Sequence, residues 1–122
     1  MNSVRKLSLP QQSWASGVTA AKAPTLAVRG KCEQIVVDIS VNTGTVTATL
    51  TITNADGATL YTKAGIPTGA KTVYFANSNK GTQDADFNAF LADEICTFTI
   101  TPSGDPSTTG VTIDVALYVV GD

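Results

Sequence analysis

The spacing most suggestive of chemistry is Asp84-x-Asp86-x-Asn88, which is how a calcium loop begins, with alternate oxygen ligands on a tight turn around a hard cation. The rest of that loop is missing. Its sixth position, which needs glycine for the sharp turn, is Ala89, and its twelfth, which needs a bidentate glutamate, is Ile95. An EF-hand is rejected, and no metal or other cofactor is expected. The chain has no histidine, which removes the commonest general base and the usual partner of a nucleophilic Ser or Cys. An acid/base site would have to pair carboxylates, and these fall mostly in turns or on polar faces of strands, where solvated charge is the plain reading. Gly104, Gly110 and Gly121 lack a phosphate-cradling spacing. Cys32 and Cys96 cannot complete a tetrahedral metal set without carboxylates, so two buried thiols are expected, with a disulfide as the alternative. No catalytic machinery is visible, and the chain is not expected to be an enzyme.

Charge is divided unevenly along the chain. Arg5, Lys6, Lys22, Arg29 and Lys31 all precede the first acidic residue, Glu33; from Glu33 onward Lys63, Lys71 and Lys80 stand against ten carboxylates. Residues 1–31 therefore read as an extended basic arm, with Pro10, Gly17 and Pro24 and no sustained period, and residues 32–122 as an acidic body. The arm's cations are too scattered for a nucleic-acid site, so no direct nucleic-acid partner is expected. Its apolar groups Leu7, Leu9, Trp14, Val18, Leu26 and Val28 have no use in a solvated tail. They point to an arm lying on a neighbouring subunit, with Arg5, Lys6, Leu7, Leu9, Trp14, Lys22, Arg29 and Lys31 as the partner-binding residues.

The body alternates. Ile35, Val37, Ile39 and Val41 share one face, and after the turn Asn42–Gly44 so do Val46, Ala48, Leu50 and Ile52, against threonines on the other. Asn54–Gly57 is a hairpin turn, because the Asp56-Gly57 pair accommodates positive φ. A turn at Pro67–Gly69 leads to a strand over Thr72–Ala76. Cys96, Phe98 and Ile100, then Val111, Ile113, Val115, Leu117 and Val119, define two more strands across a long loop. The segment 84–94 instead places Phe87, Phe90 and Leu91 at i, i+3 and i+4, which predicts a short helix. The expected fold is all-β: an antiparallel two-sheet β-sandwich of six to eight strands with an extended N-terminal arm and one short helix. No run approaches the roughly 20 apolar residues that span a bilayer, nor the apolar core of a signal peptide, so synthesis in the cytoplasm and no membrane partner are expected.

The runs IVVDISVNTGTVTATLTITNADGATLYTKAGIPTGAKTVYF and CTFTITPSGDPSTTGVTIDVALYVVGD resemble small β-sandwich virion proteins of tailed bacteriophages, of the head-decoration or head-fibre-base type. The resemblance covers residues 33–122 and leaves out the arm. It implies a capsid decoration or cement protein on the outside of the head, a homo-oligomer, often a trimer, that bridges subunits of the major capsid protein or another virion protein, with the arm as anchor. The alternative is a carbohydrate-binding or adhesion module in a fibre or tail. Against it, most aromatic residues sit where core or strand is expected, and the one tryptophan lies in the arm.

Overall fold

A computed structural model describes residues 3–75 and 90–121. Eight strands follow one another: β1 (Ser3–Ser8), β2 (Gln12–Trp14), β3 (Thr25–Ile39), β4 (Ala48–Thr53), β5 (Thr59–Ile66), β6 (Ala70–Phe75), β7 (Phe90–Pro102) and β8 (Val111–Gly121). Every pairing is antiparallel. The ladder runs β1-β8-β3-β7-β4-β5, with β2 also on β8 and β6 also on β3.

β3 makes two wings of this ladder. Thr25–Cys32 pair with β7 and Gln34–Ile39 with β6, while Lys31–Ile39 pair with β8 on the other edge. The register slips between Cys32 and Gln34, so the inward residues change from Val28 and Cys32 to Ile35, Val37 and Ile39. Such a bulge bends a strand and lets it pass from one layer to the next. Gly30 serves the same bend at φ 119°, where an added Cβ would lie 2.6 Å from the Val120 carbonyl oxygen. One face of each wing is almost fully buried, and the described residues contain no α-helix to cover it. The wings therefore cover each other, as the sandwich predicted from sequence requires, around a single apolar cluster.

Alternation holds where it was clearest. Val46, Ala48, Leu50 and Ile52, Cys96, Phe98 and Ile100, and the odd residues Val111–Val119 are all buried. Val41 departs from this: it has left β3 and is 79% exposed. In the β4–β5 hairpin the Asn54 side-chain oxygen accepts the N–H groups of Asp56 (3.0 Å) and Ala58 (2.9 Å), and Gly57 takes φ 87°. The helix expected over 84–94 is corrected in its second half. Phe90–Glu94 open β7, because the ladder with Val28–Cys32 satisfies every other backbone group and turns Phe90 inward while Leu91 faces out; residues 84–89 lie outside the described residues. Among the described residues the helical turn is a 3-10 turn at Ser107–Thr109 in the β7–β8 loop.

The N-terminal segment does not stand apart from the body. Ser3–Ser8 pair with Ala116–Gly121, Gln12–Trp14 with Val111–Ile113, and Thr25–Cys32 are the first half of β3. The reason is the apolar content that marked it for a partner. Leu9, Trp14 and Val28 are buried in the chain's own core, each burial giving roughly 2 kcal/mol.

Candidate assembly surface

The outer faces of the two wings differ. On the β7–β4–β5 wing threonines meet in register, Thr97 with Thr53, Thr99 with Thr51 and Thr62, and Thr101 with Thr49; the Thr51 and Thr62 hydroxyls are 2.9 Å apart. This is a solvated polar surface. On the other wing, positions facing away from the core include Val36, Ala116, Tyr118 and Val120, all half-buried. Apolar residues at both parities of IVVDI and VALYVV are the signal that could have found this face in the sequence, since a half-solvated antiparallel sheet should alternate cleanly.

Strand pairing orders this face into rows. Asp114 lies opposite Asp38, which lies opposite Lys71. The next row is Ser8, Ala116 and Val36, and the one after it Lys6, Tyr118 and Gln34. Residues of these three rows line a groove of about 440 Å³. A fourth row runs across four strands: Val4, Val120, Lys31 and Leu91. Beyond it Arg29 pairs with Asp93 at 3.4 Å, and Ile95 lies opposite Ala27. Val4, Leu91 and Ile95 are 68%, 77% and 60% exposed.

The residues singled out from sequence divide between core and surface. Leu9 and Trp14 are inside; the Trp14 Nε1–H donates to the Ala20 carbonyl at 2.7 Å, and Lys22 Nζ lies 5.2 Å from the ring centroid. Leu7 packs half-buried against the core. Arg5 donates to the Arg29 carbonyl, and its Nε is buried with no partner among the described residues. Lys6 lines the groove, and Lys31 lies 3.7 Å from Glu33. Arg5, Lys6 and Lys31 thus gather at the Tyr118–Val120 end of β8, with Arg29 joined to them through Arg5, whereas Lys22 sits over Trp14 at the Val111 end.

Of the groups considered for chemistry, Asp84, Asp86 and Asn88 lie outside the described residues, among which no cluster of three or more His, Cys, Asp or Glu side chains could hold a metal. Both thiols are free and buried, six residues apart along the β3–β7 ladder and so beyond the ~7 Å between Cα atoms that a disulfide spans. Burial pushes Cys32 up to about 12 and raises Cys96 as well, so neither offers a thiolate near neutral pH. Trp14, Tyr61, Phe90 and Phe98 are buried; Tyr118 is half-buried and lines the groove. Among the described residues no helix is long and apolar enough to cross a membrane.

No protein-family model and no curated protein matches the chain. Solved structures to which the chain is similar include those of infectious bursal disease virus. Its T=1 particles give TM-score 0.48 at 12% identity over 97% of this chain and 32% of that one. The VP2 subviral particle gives 0.46 at 16% identity over 98% and 32%, and the Gx strain 0.45 at 14% over the same shares. The chain spans about a third of the length of those chains. A likeness of this size decides nothing about what the chain does.

Proposed function

We propose that this chain is a structural protein of a virus particle that works by docking its apolar sheet face on neighbouring virion subunits, with capsid decoration as its specific role. The observation that carries the docking reading is the row Val4–Val120–Lys31–Leu91 with Ile95 beyond it. Three large apolar side chains stand exposed along one face, Val4 on β1 and Leu91 and Ile95 on β7 with Val120 and Lys31 between them, where further along β7 the same face carries threonine, and exposed apolar surface of this kind marks an interaction site. The resemblance of the strand sequences to phage virion sandwiches supplies the setting. Lys31 in the row and Arg29 beside it supply the basic contacts expected of the N-terminal segment, while Leu9 and Trp14 are held in the core and are not available as an anchor.

Covering Val4, Leu91 and Ile95 would yield about 1–2 kcal/mol each, before the cost of association. One such contact is weak, so binding depends on many contacts on one shell. The full chain should therefore cosediment with phage capsids stripped of accessory proteins, and the double variant Leu91→Asp/Ile95→Asp should not, while keeping its β-sheet circular dichroism. A wild-type chain that stays at the top of the gradient, or a variant that binds equally well, overturns the reading.

A further inference from the structure

The groove beside that row has a charge layout that a single chain leaves unresolved. Asp38 and Asp114 sit directly opposite on β3 and β8, a like-charge arrangement that destabilises a sheet. Asp114 accepts a hydrogen bond from Gln11 at 3.0 Å, and Lys71 is across β3 from Asp38, but among the described residues neither aspartate has an ion pair. Two rows away, Lys6 lines the other end of the groove, also without an ion pair among the described residues. Between the two ends lies the small apolar row of Ala116 and Val36.

We infer that this groove is closed by the same groove of a second copy of the chain, through a two-fold axis running along the Ala116–Val36 row. Rows on one face are about 7 Å apart along the strands and strands about 4.8 Å apart, so that axis superposes each copy's Lys6 row on the other's aspartate row. Lys6 of one copy then lies one strand to the side of Asp114 of the other, within reach of its long side chain. The two-fold makes this contact twice and lays Val36 and Ala116 against their own equivalents, which is the self-complementarity an isologous interface needs. A basic end and an acidic end on one face match only when the second copy is reversed. The face of three rows and four strands covers a few hundred Å², below the roughly 800 Å² per partner of a standard stable interface, so the dimer is weak and sensitive to salt. The inference deepens the docking reading and rests on it for the premise that this wing's outer face is a contact surface. Self-association is measured on the isolated chain and shell binding is not, so the two can fail separately.

The test is sedimentation equilibrium of the full chain at low and high salt, together with oxidation of a Val36→Cys variant. A monomer–dimer equilibrium that weakens at high salt is expected. Lys6→Glu should weaken it at least about tenfold, since it strikes two close charge pairs, and Lys6→Glu/Asp114→Lys should recover most of the loss. Val36→Cys should cross-link to itself, with Thr51→Cys on the threonine face as the control that does not; the native thiols are buried and do not compete. Thermal melts of each variant separate loss of pairing from loss of fold. A monomer at all concentrations up to about 1 mM, an oligomer of odd order, or a dimer indifferent to Lys6→Glu that leaves Val36→Cys uncross-linked overturns the inference. Dimerisation lost while shell binding persists would refute this contact alone.

Discussion

Replacing Trp14 by alanine separates a residue of the core from a residue of a detached arm. Trp14 is 1% exposed, pairs with Val111 through β2, and donates its indole N–H to the Ala20 carbonyl at 2.7 Å. Truncating a buried tryptophan costs about 3–5 kcal/mol, from lost transfer energy and the cavity left behind. With a melting entropy of about 2.1 cal/mol/K per residue over 122 residues, that loss lowers Tm by roughly 12–20 °C. Trp14→Phe keeps most of the volume and removes the N–H. Ala20 is exposed and water can replace the lost donor, so this variant should cost only about 1 kcal/mol, or roughly 4 °C. Melts followed by circular dichroism at 218 nm compare the three proteins, and the single tryptophan of the parent should emit at the short wavelengths of a buried indole. If Trp14→Ala melts within about 3 °C of the parent but loses shell binding, the side chain belongs to a partner surface and the integration of the N-terminal segment is refuted.

The bend in β3 can be probed through Gly30→Ala, which meets the Val120 carbonyl at 2.6 Å and Val119 Cγ1 at 2.8 Å while holding φ 119°; it should cost about 2–4 kcal/mol by urea unfolding. Gly57→Ala, with positive φ but nothing within 4 Å, should cost only about 1 kcal/mol. The two thiols should resist a thiol reagent in the native protein and react fully after denaturation. Because the folded pKa of Cys32 is raised to about 12 from 9.0, its contribution to stability is fully present below about 9 and is lost as pH rises toward 12, which an alkaline unfolding series should show. The Asp105 carboxylate accepts the N–H groups of Gly17 and Ser107, both at 2.8 Å, and these bonds hold it below the usual aspartate value. Its stabilisation is therefore present above the ordinary aspartate pKa and disappears as pH falls through the lower folded value. Asp105→Asn should flatten the acid limb of stability against pH, and an unchanged limb would show that the two bonds do not hold in solution.

β4, the second half of β7 and β8 were legible because each alternates without a break along its own length, even where its register with β5 or β3 shifts, so alternation in the sequence maps directly onto inside and outside. β3 was half legible. Its inward set changes parity at the bulge, and a strand of fifteen residues with Arg29, Gly30 and Lys31 in the middle reads as an arm followed by a strand. β1 and β2 carry no local signal at all, since the ladder that defines them comes from β8 at the other end of the chain. Phe90 and Leu91 fit a helical spacing, but that spacing is also two neighbours of a strand, and pairing with β3 decides between them. Of this face, the basic residues stand out in the sequence and the apolar row does not: Val4, Leu91 and Ile95 come from β1 and β7, and only the register with β8 and β3 aligns them.

The closure of β1 on β8 bears on how the chain is made. Ser3 meets Gly121, so during synthesis β1 has no partner until β8, more than a hundred residues later, has followed it. Until then Leu7, Leu9 and Trp14 remain in water and the edge of β1 is open. Most of the loop-closure entropy must be met before this ladder returns anything, which favours slow folding and exposure of the unpaired β1 to wrong partners. Arg5 and Lys6 within that strand put charge on its open edge during the wait, as other proteins protect an unpaired strand from joining a stranger.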